Sequence, residues 1–391
     1  MRIAYVVADH GIPVFGTKGA SIHVREMVNA FAALGHRVTL VVARRGEADA
    51  AVEAEIVKVR PPPLSTTEGD KTVRKEKTSM AVDEEILRTL SRLHEAEPFD
   101  LVYERYTLFG TASVRFQKRF GVPAVLEVNA PLVQEQSRFR KLHHRAEAEA
   151  NEEYMFRQAA LVVTVSDAVK DYVIRRGAEP ARVRTLPNAV DPKRFHPRVE
   201  PIPAPWTGKG PVIGFSGSLK PWHGLEHLLE AFRILAMDLP DARLVIIGDG
   251  PMKPWIEGYV HGAELKDRVW ITGWVSHDTL PRILKTLDMA AAPYPPMDDF
   301  YFSPMKLFEY LALGIPVVAS AIGQLDALLV EGRNALLVPP GDSAALAAAL
   351  KRLANDPDLR GRLSAAAADS MQHRTWYDNA RKVLEWIPSH P

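Results

Sequence analysis

The chain contains no cysteine among its 391 residues. That excludes disulfides, thiol catalysis and cysteine-ligated metals together. It lacks an excess of charge of either sign. Lys plus Arg number 49 against 48 Asp plus Glu, a net charge of +1, so a nucleic-acid binder working through a large positive field is not indicated. No apolar run approaches the ~18 residues of a spanning helix. The opening Met1–Ala8 run is too short for a signal core and reads as a first strand, so a cytoplasmic location is expected, with the inner membrane face left open. Neither the dinucleotide spacing Gly-x-Gly-x-x-Gly nor the phosphate loop Gly-x-x-x-x-Gly-Lys-Ser/Thr occurs, which disfavours a dehydrogenase and an ordinary ATPase. His10, His143 and His144 stand at no recognised metal-ligand spacing; no metal and no cofactor is expected.

With 47% apolar and 25% charged residues, the composition is that of a folded globular protein, and the length calls for two domains. Arg2–Ala8 is a fully apolar short run, as a parallel strand buried on both faces requires. A glycine-bearing loop, a helix over 20–34 ended by Gly35, and the strand Val38–Val42 complete a β-α-β unit. Strands follow at Asp100–Tyr103, Ala124–Val128 and Leu161–Val165, and the charged segment Val133–Gln158 reads as one long helix. The polar stretch Pro61–Lys77 reads as an exposed loop. Prolines at 192, 197, 201, 203, 205 and 211 then interrupt every hydrophobic period, as in an interdomain connection.

The α/β alternation restarts at Val212–Ser216. A helix over Gly224–Met237 and strands Arg243–Ile247, Val269–Thr272 and Met289–Pro293 follow. Strands Pro316–Ala319 and Ala335–Val338 and the helix Ser343–Ala354 complete the second set. The expected architecture is α/β, two doubly wound Rossmann-like domains facing each other across a cleft. Their boundaries are 1–195, a Pro-rich linker 196–211, and 212–370. An amphipathic helix in 371–391 either stays with the second domain or crosses back to the first.

The segment Ser303-Pro-Met-Lys-Leu-Phe-Glu309 carries the most chemistry. A proline turn opens a helix on which Lys306 and Glu309 share one face. Unpaired N–H groups and a partial positive charge at a helix start suit phosphate oxygens. Lysine adds a mobile cation, and a carboxylate one turn on can accept sugar hydroxyls. Three glycine loops follow strands: Gly11 to Gly19, Gly217 to Gly224, and Gly248 to Pro251. They permit close backbone approach to a phosphate, or merely tight turns. His23 reads as a packing or capping residue. The basic run Arg138–Arg145 reads as the charged face of a helix, with contact to an anionic lipid surface as the alternative.

Taken in order, these motifs resemble those of the GT-B glycosyltransferases of the large retaining family 4, the glycosyl transferases group 1. Gly16-Thr-Lys-Gly19 with Gly35-His-Arg-Val-Thr39, Val165-Ser166, Leu186-Pro-Asn188 to Phe195, Gly217 to Gly224, Gly248 to Pro251, and Thr272 to Val275 carry the resemblance with the Ser303 segment. The resemblance implies transfer of a sugar from a nucleotide-diphosphate sugar to an acceptor hydroxyl in polysaccharide, glycolipid or other glycoconjugate biosynthesis. It implies Glu309 on the donor ribose, and the backbone of Ser303, Pro304, Met305, Lys306 and Leu307 around the diphosphate. Gly16 and Gly19 would approach the phosphate, and Trp274 and Val275 would meet the base. Three positions depart from the family pattern. Tyr301 replaces the first glutamate of the E-x7-E element; Ser218 and His223 replace the cationic pair of the glycine loop; Asn129 stands where a histidine often faces the sugar. Lys220 and Lys306 are the candidates to restore the missing charge. The alternatives kept are a non-catalytic nucleotide-sugar-binding subunit and a sugar-nucleotide epimerase of the same fold. The acceptor is unassigned, no nucleic acid is expected, and peripheral membrane contact stays open.

Overall fold

A computed structural model describes residues 1–47, 51–61, 70–203, 206, 210–323 and 325–387. Within them the chain forms two compact units. The first comprises residues 1–188, 301–303 and 376–387; the second comprises Ala189–Phe300 and Pro304–Thr375.

The first unit is a seven-stranded, all-parallel sheet. Its elements run β1 (Arg2–Val7), α1 (Gly19–Ala33), β2 (Arg37–Val42), β3 (Glu55–Lys58), α2 (Lys71–Ala96), β4 (Leu101–Arg105), α3 (Ala112–Phe120), β5 (Ala124–Val128), α4 (Leu132–Phe139), α5 (Arg145–Gln158), β6 (Leu161–Thr164), α6 (Asp167–Arg175) and β7 (Val183–Thr185). The strand order is β3-β2-β1-β4-β5-β6-β7. Tyr5 pairs in register with Leu40 on one side and Tyr103 on the other. All residues of β1, β4, β5 and β6 are buried, which explains why these strands carry unbroken rather than alternating apolar character.

Two expectations fail in this unit. The span Val133–Gln158 is not one helix: α4 ends at Phe139 and α5 starts at Arg145. The cause is Glu76, buried on α2, whose carboxylate accepts the backbone N–H groups of His143 (3.0 Å) and His144 (2.9 Å) and lies 2.6 Å from His144 Nδ1. Backbone donors committed to a distant carboxylate cannot continue a helical ladder. The basic run 138–145 therefore spans the break and is not one helical face. The supposed loop Pro61–Lys77 contains the start of α2, where Asp70 caps by accepting from Thr72 N at 2.7 Å; residues 62–69 lie outside the described residues.

The second unit holds β8 (Val212–Ser216), α7 (Leu225–Asp238), β9 (Arg243–Ile247), α8 (Lys253–Gly262), β10 (Val269–Gly273), α9 (Leu280–Leu284), β11 (Met289–Ala292), α10 (Met305–Ala312), β12 (Val317–Ser320), α11 (Leu325–Leu328), β13 (Ala335–Val338), α12 (Ser343–Asn355) and α13 (Pro357–Ser370). Six parallel strands run in the order β10-β9-β8-β11-β12-β13. The order reverses between β8 and β11, so the carboxyl ends of those two strands define the switch point where such sheets bind ligands. A core of Phe215, Leu228, Phe232, Leu244, Ile246 and Leu350 welds α7 and α12 onto this sheet. The last helix, α14 (Trp376–Trp386), belongs to the first unit, where it packs on α1.

Candidate active site

The loop leaving β8 begins at Gly217, whose backbone φ is +141°, a value that side-chain-bearing residues rarely adopt. A methyl group there would stand 3.1 Å from the Nζ of Lys306. Lys306 is the second residue of α10, and α10 is clamped to β8 because Tyr310 Oη accepts the Ser216 N–H at 2.6 Å and donates to Ser216 Oγ at 3.0 Å. The ammonium of Lys306 lies over the Phe215 ring at 3.9 Å and 5.7 Å from the centroid of Tyr294, which follows β11. It is buried and has no hydrogen-bond acceptor among the described residues. Burial pulls it down to about 7, only partly opposed by Glu309. A desolvated amine beside two aromatic faces and the glycine loop of the switch point is an arrangement that an anion could complete.

The positions flanking Lys306 divide by character. His223 donates from Nδ1 to the carbonyl of Ser218 at 2.6 Å, so that nitrogen carries its proton. Burial, with Lys306 and Lys220 nearby, holds the imidazole down at about 3. His223 is thus a neutral group, not a substitute cation. Lys220 is half-buried with its ammonium 5.5 Å from the Trp222 ring, and Ser218 is exposed. Glu309 sits one turn after Lys306, buried, with Oε1 3.2 Å from Nε2 of His277. Leu307 is in the core, Pro304 and Met305 form the helix entry, Trp274 is 57% exposed and Val275 is half-buried. The structure thus gathers Lys306, Gly217 and His223 around one point, with Glu309 on the same helix.

Ser303 and the remaining candidates lie in the first unit. Asn188 donates its backbone N–H to Ser303 Oγ (2.9 Å) and its side-chain amide to the Ser303 carbonyl (2.5 Å). Asn188 Oδ1 is 2.8 Å from Nδ1 of His23. Gly16 is demanded by its own loop: a methyl group there would come within 2.6 Å of Ser21 Oγ and 2.8 Å of Pro13. Gly19 opens α1 and is exposed. Asn129, half-buried after β5, donates its amide to Glu127.

Glu127 is the centre of a buried cluster that single-sequence reasoning missed. Its carboxylate accepts from Tyr103 and, at 2.9 Å, from Arg105 Nη1; His23 Nε2 lies 2.9 Å from Oε1 without the alignment of a hydrogen bond. Burial alone would raise this carboxyl, but His23, Arg105 and Asn129 outweigh it and hold it well below the usual range. His23 also meets Trp376 edge-on at 4.8 Å, so it does pack, but as a polar link among Glu127, Asn188 and α14. Its partners are 104 and 165 residues away, positions no local pattern could connect. His277 was missed for the same reason.

Solved proteins share this architecture. Sucrose-phosphate synthase from Thermosynechococcus elongatus superposes with a TM-score of 0.77 over 98% of this chain and 97% of that one, at 21% identity. HepE from Anabaena, in complex with UDP, does so with a TM-score of 0.72 over 98% and 99%, at 17% identity. The fold is therefore the GT-B class, two parallel sheets with surrounding helices. In sequence, residues 17–194 match the model of Glycosyltransferase Family 4, and residues 210–356 match that of Glycosyl transferases group 1. The chain belongs to this glycosyltransferase family. A curated relative, 2-deoxystreptamine N-acetyl-D-glucosaminyltransferase of Streptomyces fradiae, is 31% identical over 261 residues, 64% of this chain and 60% of the relative. The matched region spans only 54 to 60% of the length of the first such relatives. Among the described residues no helix is long and apolar enough to cross a membrane.

Proposed function

We propose that the chain transfers a hexosyl-type unit from a nucleotide-diphosphate sugar to an acceptor hydroxyl, with retention at the anomeric carbon. The observation that carries this reading is the buried Lys306 ammonium at the first turn of α10, without a hydrogen-bond acceptor among the described residues and beside Gly217 at the switch point of the second sheet. A diphosphate supplies the missing counter-charge, and the free N–H groups of the helix start add further donors. Glu309 takes the ribose hydroxyls and Lys220 a second phosphate contact; Trp274 and Val275 line the side where the base would rest. The UDP present in the HepE structure supports a nucleoside diphosphate as the bound product.

The chemical task is to stabilise charge developing on the departing diphosphate, for which a preorganised cation in a desolvated site is effective. With retention and no carboxylate nucleophile assigned, the acceptor oxygen attacks on the face that the phosphate leaves. The C–O bond to phosphate breaks, the C–O bond to the acceptor forms, and the acceptor proton passes to a leaving-phosphate oxygen. Asn129 is the candidate for contacting the sugar.

The test is nucleotide release from a panel of uridine, guanosine, adenosine and thymidine diphosphate sugars, with and without acceptor sugars. Release that requires an acceptor, with a product of unchanged anomeric configuration by NMR, supports the reading. Donor binding without turnover would instead mark a binding subunit, and conversion of the donor without acceptor an epimerase. Inversion of configuration, or a covalent sugar trapped on a side chain, would overturn the mechanism.

A further inference from the structure

The carboxylate of Glu309 does not stand alone. His277 Nε2 is 3.2 Å from Glu309 Oε1, and on the other side of the same ring Nδ1 lies 2.5 Å from Nη1 of Arg194. A guanidinium can only donate hydrogen bonds, so Nδ1 must be the accepting nitrogen and Nε2 must carry the hydrogen that points at Glu309. His277 is therefore fixed by its surroundings in one tautomer. Its ring is held by Phe195, with centroids 5.2 Å apart, and Arg194 is held in turn by Asp278 at 3.4 Å. Arg194 and Phe195 are themselves presented by a turn in which both of their N–H groups donate to the Asp191 carbonyl, at 3.2 and 2.9 Å. The Asp191-Pro-Lys-Arg-Phe195 signature thus has a physical task that its sequence alone did not reveal.

We propose that Arg194 and His277 form a positioning relay that orients Glu309 for ribose recognition, and that this relay sets the preference for ribo- over deoxyribonucleotides. The inference rests on the reading of Glu309 as the ribose residue. Oε1 is engaged by His277, which directs recognition of the sugar hydroxyls to Oε2 and fixes the plane of the carboxylate. An untethered glutamate would turn to serve water as readily as a ribose. A hydrogen bond to a charged group discriminates by ~1.5–3 kcal/mol, or roughly 10- to 100-fold, but only when that group is held in place.

The experiment is titration calorimetry on the full chain with UDP, GDP and ADP, followed by the 2′-deoxy and 3′-deoxy analogues of the tightest binder. Inorganic pyrophosphate serves as a control that has no ribose. The variants are Glu309→Gln, His277→Leu, His277→Gln and Arg194→Met. The wild type should prefer the ribonucleotide by about tenfold or more. His277→Leu and Arg194→Met should reduce this preference to less than about threefold while leaving pyrophosphate affinity within about twofold, a pattern that general loosening of the fold would not give. His277→Gln, whose amide can accept from Arg194 and donate to Glu309, should recover most of the preference. If Glu309→Gln abolishes the preference but His277→Leu does not, the relay is wrong and the ribose role of Glu309 stands. If Glu309→Gln leaves the preference intact, or none of the three nucleotides binds, the ribose reading itself fails and the relay falls with it.

Discussion

The Nζ of Lys306 lies 3.9 Å from the centroid of the Phe215 ring, buried, with no hydrogen-bond acceptor among the described residues. A cation–π contact offsets only part of the cost of stripping water from an ammonium. Burial holds this group down at about 7 instead of the usual 10.5. Because the folded-state value lies below the unfolded one, the fold is favoured above about pH 10.5, and that advantage is lost as pH falls through 7. At neutral pH and below, the unliganded protein carries the strain of a charged, desolvated lysine. Lys306→Met, of similar volume, should therefore stabilise the unliganded protein by ~1–3 kcal/mol at pH 6 and raise Tm by several degrees. The same variant should weaken nucleoside diphosphate binding by roughly 10- to 100-fold. A thermal melt and a titration on the same preparation check both halves; a destabilised variant that binds normally contradicts the assignment.

A diphosphate bound beside Lys306 favours the charged amine and raises its pKa on binding. Between about pH 7 and 9 complex formation should then take up as much as one proton. Below about pH 6, where the amine is already charged, uptake through Lys306 should vanish. Calorimetry at pH 8 in two buffers of different ionisation enthalpy measures the stoichiometry directly. The uptake should be absent in Lys306→Met, which separates it from protons exchanged by the nucleotide itself.

The strands were legible because burial on both faces leaves a plain mark in the sequence. Ala124–Val128, Val212–Ser216, Arg243–Ile247 and Ala335–Val338 are short apolar runs whose ends the structure reproduces. Helices were less visible where lysine and glutamate dominate. On α2 the buried spacing Val82, Ile86, Leu90 marks one face, but it is diluted over 26 residues. The break between α4 and α5 could not be read at all, since Glu76 imposes it from about 67 residues away. The same divide runs through the candidate site. Lys306 and Glu309 share a helical face and were apparent from spacing alone. What they meet was not, because tertiary packing brings Gly217 to Lys306 and His277 to Glu309, and one sequence does not record it; the Glu127 cluster of the first unit was hidden for the same reason.

The Glu127 cluster supports a prediction in the first unit. Arg105, His23, Tyr103 and Asn129 converge on one carboxylate that is only 2% exposed. Removing its charge leaves the buried Arg105 guanidinium without its counter-ion, a change that typically costs ~3–5 kcal/mol. Glu127→Gln should lower Tm markedly at pH 7. Because the folded-state pKa is depressed, the contribution of Glu127 is present above about pH 4.5 and lost as pH falls below it. The destabilisation by Glu127→Gln should therefore shrink on acidification, as followed by urea unfolding between pH 7 and 3. A gap that stays constant over that range would show that packing, not charge, is the group's contribution.

Glu104, on the neighbouring strand β4, should behave in the opposite sense. It is fully buried; Oε2 accepts the Ser113 N–H at 3.2 Å, while Oε1 has no partner among the described residues. Asp83 lies close by and accepts from Thr111 N (2.8 Å), Thr111 Oγ1 (2.6 Å) and Ala112 N (2.9 Å) at the start of α3. Two adjacent carboxyls compete for one helix start, and Asp83 holds the better donors. Burial, reinforced by the Asp83 charge, pushes Glu104 up to about 8, so at neutral pH it keeps its proton. Its raised value means that stability is full below about pH 4.5 and is lost as pH rises through 8, by a few kcal/mol at most. Glu104→Gln reproduces the shape of the neutral acid without the ability to ionise. It should leave stability at pH 5 nearly unchanged and raise it at pH 9, so that the two melting curves diverge on the alkaline side. Parallel loss of stability in both proteins from pH 7 to 9 would place the alkaline sensitivity elsewhere and return Glu104 to the ordinary ionised state.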